Sequence, residues 1–264
     1  MRIYLSIIVM LFVYQGFSQE ITGRAFYTSF YQSKDEMELK EDELNNPVLV
    51  ELMEQLKKPF TDEYELEFSR EESVFKKLPK LEKPEPTKGQ ISVTRSVMSD
   101  DEIHYKNLHK NEYLNSKELY GKLFLIQDEL ENSDWQLSNE SKTIGDYICF
   151  KAIYVPELEE SDDSEEKWIK EEKDKKEIIA WYTPQIPVKN GPMKYDGLPG
   201  LILEVQDGNL KFLCTKIIIN PAEKIEIKAP KKGKKVSQKE FKAIVKEKNK
   251  DMMENFKSQK RRRD

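Results

Sequence analysis

The dipeptide Asp207-Gly208 sits between two apolar runs, Leu201 to Gln206 and Asn209 to Ile219. Such a dipeptide closes two-residue hairpins, because a type I′ turn needs positive φ at both central positions, which Asp tolerates and Gly favours. The turn sets a register in which Gln206 opposes Asn209. Val205, Leu203 and Leu201 then face Leu210, Phe212 and Cys214 on one buried face. Glu204 and Lys211 meet on the other face as a cross-strand charge pair. A chain carrying this element must build a sheet.

Further strands are legible upstream. Ile21 to Tyr31, with Phe26, Tyr27, Phe30 and Tyr31, predicts a first strand. Pro47 opens a short helix running to Leu56, which Pro59 ends. Asp62 to Ser69 alternates Tyr64, Leu66 and Phe68 with Glu63, Glu65 and Glu67, as a half-buried antiparallel strand does. Pro79, Pro84 and Pro86 predict a surface loop up to Gly89. Ile91 to Val97, Ile103 to Leu108 and Leu119 to Gln127 read as short strands, and Ile144 to Val155 and Glu177 to Thr183 as β-branched and aromatic ones. The fold class is α+β: a meandering, curved antiparallel sheet with one or two helices and a basic C-terminal helix.

Charge divides the chain unevenly. Residues 222–264 hold sixteen Lys and Arg against seven Asp and Glu, while the whole chain of 264 residues is formally at −5. Within this tail Ser237 and Glu240 form a capping box, and Phe241, Ile244, Val245, Met252 and Phe256 make a broken apolar stripe. The simplest reading is a helix lying against an acidic body. The functional one is peripheral contact of residues 231–264 with an anionic membrane surface. Glu157 to Glu166 contains seven acids and no base, which predicts a solvated loop inserted over 157–176. Two Cys and two His exclude a four-ligand Cys/His zinc site and a disulfide-dense scaffold.

The first eighteen residues read as an export signal. Arg2 precedes an apolar stretch of about a dozen residues, too short for the roughly 20 that span a bilayer, and Gly16 and Ser18 suit cleavage after Ser18. The expected domains are therefore a signal peptide (1–18), one sheet-rich domain (19–221) and a basic, partly helical tail (222–264). The expected location is periplasmic or secreted. Cys149 and Cys214, both in apparent strands, read as buried free thiols rather than a bridge.

The most specific pattern lies between these strands. Pro184 and Pro187 withhold ladder donors, so the chain should leave the sheet as an extended strap through Gly191-Pro192. It should return through Gly197-Leu198-Pro199-Gly200, where Pro199-Gly200 suits the centre of a type II turn. Together with Ile144-Gly145-Asp146-Tyr147-Ile148-Cys149-Phe150-Lys151-Ala152 and Trp181-Tyr182-Thr183-Pro184, this series resembles the GLPGLI family of exported Bacteroidetes proteins. The resemblance runs in ordered blocks from about Trp135 to Ile219. It implies a bacterial envelope or secreted protein with a sheet-rich α+β body. It implies no activity and no catalytic residues.

No catalytic signature stands out. The chain has no Gly-x-Ser-x-Gly elbow, His-Glu-x-x-His helix or Gly-rich phosphate loop. His104 and His109, five apart in a polar stretch, read as surface histidines rather than paired metal ligands. No catalytic residue, metal ligand or cofactor is assigned, and nucleic acid is not an expected partner. The leading expectation is a non-enzymatic binding or accessory protein for an apolar ligand or an envelope partner, with Trp181, Tyr182, Tyr195 and Leu198 as binding residues. The alternative is a peptide- or glycan-directed hydrolase using carboxylates near the 181–200 strap.

Overall fold

The first strand pairs with the eleventh, and that seam organises the molecule. In a computed structural model, which describes residues 21–31, 47–80, 96–131, 133–156 and 177–261, twelve strands form one open sheet. The chain runs β1 (Gly23–Tyr31), α1 (Pro47–Lys57), β2 (Phe60–Phe68), β3 (Glu72–Lys77), β4 (Ile103–Asn107), β5 (Glu112–Leu119) and β6 (Lys122–Glu129). It continues with β7 (Gln136–Ile144), β8 (Tyr147–Tyr154), β9 (Ile178–Thr183), β10 (Leu201–Asp207), β11 (Leu210–Ile219), β12 (Lys234–Val236) and α2 (Gln238–Arg261). The spatial order is β12-β6-β5-β4-β3-β2-β1-β11-β10-β9-β8-β7. Two antiparallel meanders, β1 to β6 and β7 to β11, are joined where Gly23 to Tyr31 pair with Ile219 to Leu210. The expected leader 1–18, the acidic insertion 157–176, most of the 79–89 loop and most of the 91–97 strand lie outside the described residues.

The α+β class holds, with a mixed rather than wholly antiparallel sheet. β12 pairs in parallel with β6, Val236 opposite Ile126. Residues 220–233 cross the sheet first, as a parallel join requires, and Ile227 and Ala229 pack on Val74, Tyr105, Leu114 and Leu125 on the way. The stretch Leu119 to Gln127, expected as one strand, is interrupted at Tyr120-Gly121. Both residues have positive φ (50° and 74°) between the paired Leu119 and Lys122, so a type I′ turn lies here. Likewise Ile144 to Val155 breaks at Gly145-Asp146 into β7 and β8.

The 201–219 hairpin forms with its register moved by two residues. Asp207 pairs Leu210, Gln206 pairs Lys211 and Val205 pairs Phe212. The turn residues are thus Gly208 and Asn209, and only Gly208 has positive φ (56°), the pattern of a type II′ turn. A shift of two keeps side-chain parity, so Leu201, Leu203, Phe212 and Cys214 still enter one core cluster. Val205 leaves for the neighbouring cluster, following an irregularity in β10 between Ile202 and Glu204. Lys211 reaches Glu204 at 3.0 Å although Gln206 is its direct neighbour.

The core is aromatic at the seam. Phe75 stacks on Tyr64 at 5.1 Å and meets Tyr27 and Phe212 edge-on at 6.0 and 5.8 Å, the geometries aromatic rings favour. Tyr64, Leu66 and Phe68 of β2 are fully buried, as their alternation predicts. On the opposite face Arg24 and Lys76 bracket Glu65 and Glu67. Cys149 and Cys214 are both free and buried, and burial pushes their thiols up to about 11 and about 12. At the far edge Ser237 and Glu240 complete the expected capping box. The Ser237 amide donates to Glu240 Oε2 at 2.7 Å and the Glu240 amide to Ser237 Oγ at 3.2 Å. Phe241 then seats α2 against Phe124, ring centroids 5.4 Å apart.

Candidate functional site: the strap, its clip and its groove

Residues 184–200 leave the sheet between β9 and β10, as the two prolines require. The strap is tied back by Leu201 N–H to Ile186 C=O and Ile202 N–H to Asn190 C=O, both at 3.0 Å. The turn at its end differs from the expected type II. Gly200 does not have positive φ; instead its amide donates to Leu198 C=O at 2.8 Å, a three-residue turn around Pro199. Glycine is required there by space, since a Cβ would lie 2.1 Å from the Thr183 carbonyl oxygen.

A buried cation clips the strap to the first meander. Lys106 of β4 is completely buried and donates through Nζ to the carbonyls of Gly191 (3.0 Å) and Tyr195 (2.7 Å). Its third neighbour is Asp196 Oδ2 at 3.7 Å, an ion-pair contact. Burial pulls the ammonium down to about 8, with the Asp196 charge opposing it. Burial raises the Asp196 carboxyl, and Lys106 holds it back. Around this pair Ser73 Oγ donates to Asn190 Oδ1 at 2.9 Å, Trp135 Nε1 to Asp196 C=O at 2.9 Å, and Tyr195 Oη to Asp207 Oδ2 at 2.8 Å. Lys106 and Ser73 belong to the first meander, Trp135 precedes the second, and Asp207 closes β10. The strap therefore joins the two meanders a second time.

A second polar cluster lies one row along the same strands. His104, expected at the surface, is only 3% exposed, because both faces of β4 are covered. Its Nδ1 lies 2.6 Å from Tyr113 Oη and its Nε2 3.2 Å from Glu102 Oε1. Lys117 and Asn115 also reach Glu102 at 3.2 Å. Burial pushes the Glu102 carboxyl up, but hydrogen bonding to His104 and the charges of His104 and Lys117 outweigh it and hold it at about 2. Burial lowers His104, with Glu102 opposing the shift. The Tyr113, His104, Glu102 series has the order of a proton relay, yet its ring and carboxylate are inside the core. Among the described residues no three His, Cys, Asp or Glu converge as metal ligands.

Of the four residues expected to bind, Tyr182, Tyr195 and Leu198 are buried within one cluster, together with Ala152, Ile178, Ala180 and Val205. Trp181 is half-buried, with Lys142 Nζ 4.2 Å above its ring. The carboxylates near the strap are each engaged separately: Asp196 by Lys106, Asp207 by Tyr195, and Glu204 by Lys142 and Lys211 at 2.7 and 3.0 Å. What opens to solvent here is a shallow groove of about 410 Å³ between residues 133–137 and 197–199, walled by Trp135 and holding one carboxylate, Asp134. Beside it Leu137 is 59% exposed, on β7 at the open end of the sheet. The buried Lys106 and the wall residue Trp135 carried no sequence signal of their own, since nothing local distinguishes a strand lysine or a loop tryptophan.

Residues 135–204 match a family model, Porph_ging, described as a protein of unknown function. The matched stretch runs from the groove wall through β7, β8, β9 and the strap into β10, about a quarter of the chain. No curated protein matches the chain. Two crystal forms of PNGF-II align over 85% of this chain at 14% identity, each with a TM-score of 0.48. The chain spans about a third of their length, 32% and 33%.

Proposed function

We propose that the chain is an exported cell-envelope protein of the GLPGLI type, a non-enzymatic accessory that docks an envelope partner at the groove beside the strap. The observation carrying this reading is the division of labour in the motif. Tyr182, Tyr195 and Leu198 are committed to the core, whereas Gly197, Pro199 and Leu137 are exposed around one open groove walled by the half-buried Trp135. A shallow surface fits a docked partner better than an enclosed apolar cargo. The ordered motif blocks and the family match over 135–204 support the kinship. Export rests on the leader-like first eighteen residues. A hydrolase using paired carboxylates needs two of them facing one space, and the groove lining supplies one.

The test is photocrosslinking in the intact envelope, with p-benzoylphenylalanine placed at Leu137 and, as control, at Phe30, which is 44% exposed and remote from the groove. The expected result is a discrete protein adduct from position 137 and none from position 30. Equal labelling at both positions, or none at 137, overturns the docking surface.

A further inference from the structure

The lysines of the C-terminal region are arranged as well as numerous. Lys231, Lys232, Lys234 and Lys235 are all exposed and have no acid among them. They run through β12 into α2, whose positions sort by helical spacing into three lines. Phe241, Ile244 and Val245 face the sheet and pack on Phe124, Ile126 and Val236. Glu240, Glu247, Asp251 and Glu254 follow one flank. Lys239, Lys242, Lys246 and Lys250, spaced 3, 4 and 4 apart, follow another line turned away from the sheet. All four are exposed.

Glu240 caps the helix through Ser237, and Asp251 pairs with Lys248 at 3.2 Å. Beyond the Tyr120 Oη to Asn249 Oδ1 bond at 3.0 Å, Met252 on the same side as Phe241 is 55% exposed.

We propose that the lysine face formed by residues 231–235 and the Lys239, Lys242, Lys246, Lys250 line is a docking surface for a bilayer bearing anionic lipid headgroups. Charge complementarity carries the assignment. The tail is strongly cationic while the remainder of the chain is acidic, so an anionic plane attracts one end of the molecule and repels the other, which orients it. A flat lipid surface also matches a line of exposed lysines along one helix flank better than a concave ligand site does.

The experiment uses the full chain lacking residues 1–18 and vesicles of phosphatidylcholine with 30% phosphatidylglycerol, scored by co-sedimentation in about 50 mM salt. Binding is expected, with none to pure phosphatidylcholine and a steep fall at about 300 mM salt. The variant K239E/K242E/K246E/K250E changes only exposed positions, and circular dichroism checks its fold. At roughly 1 kcal/mol for each of the four lysines lost at the surface, it should bind on the order of 1,000-fold more weakly or worse. A folded variant that binds as well as the wild type overturns the proposal. So does a wild type that ignores anionic vesicles but binds a poly-aspartate peptide, which would assign the surface to an acidic protein instead.

Discussion

The two meanders differ in how much charge they bury. β8, β9 and β10 close on apolar side chains, with Ala152, Ala180, Ile202 and Val205 gathered under Tyr182, Tyr195 and Leu198. The strands β2 to β5 bury Tyr64, Leu66, Phe68 and Phe75 as well, but they and the residue before β4 also enclose Asp62, Glu102, His104, Lys106 and Asn115. Packing is nearly indifferent to pH, whereas buried ion pairs are sensitive to it and costly to break singly. The part matching the family model lies entirely in the second meander and the segments flanking it. Most of the buried charged side chains belong to the first meander, with Glu204 of β10 and Asp196 of the strap outside it, and the Lys106 clip is where the two regions meet.

The largest expected effect comes from closing the gap at the strap. Gly200→Ala places a methyl group 2.1 Å from the Thr183 carbonyl oxygen, so the strap cannot seat between β9 and β10. Purified protein should show lost near-ultraviolet signal and fast proteolysis after Thr183, and a wild-type melting curve would contradict the assigned close approach. Next, Lys106→Ala strands Asp196 and two carbonyls in the interior, and should cost about 3–5 kcal/mol in denaturant unfolding. Pairing it with Asp196→Asn should recover a measurable part of that loss. No recovery would mean that the ion pair is not what the lysine serves.

Acid distinguishes the two meanders more finely. Glu102 has a folded pKa of about 2, below its ordinary 4.5, so its stabilisation is complete above 4.5 and lost as pH falls toward 2. Between pH 4.5 and 3 this amounts to about 2 kcal/mol. His104 acts in the same direction earlier. With its folded pKa below 6.5, the unfolded chain takes up a proton that the folded one refuses once pH drops past 6.5. Asp196, raised by burial, works against both, because the folded form gains its proton first. Hydrogen exchange at pH 4 should therefore weaken protection in β3 to β5 before β8 to β10. Simultaneous loss would show the sheet opening as one unit. Smallest of all, Lys211→Ala removes an exposed partner of Glu204 that retains Lys142, and should shift stability by well under about 1 kcal/mol.

How much of this the sequence announces follows the same division. β2 and the 201–219 hairpin are legible because each buries an alternating apolar face, and period-two patterns survive even where the turn is misplaced by a residue on each side. The strands β3, β5 and β7 carry no such alternation: Gln136 to Ile144 is polar almost throughout, being the outer edge. His104 looks solvent-exposed in a run of polar neighbours, and it is interior because both faces of β4 are covered. Tyr195 and Leu198 are legible as important residues, but the kind of importance is not: a buried aromatic and a ligand-stacking one have the same sequence signature.

One consequence of the β1 to β11 seam concerns time. About 190 residues separate its two partners along the chain, while most other neighbouring strands are consecutive. Each meander can assemble from short-range hairpins soon after it emerges, yet neither can be sealed to the other until β11 has been made. The pairing of the two meanders along their edges waits on that distant encounter, and a chain interrupted before it is left with the flank of β1 exposed to whatever strand arrives first.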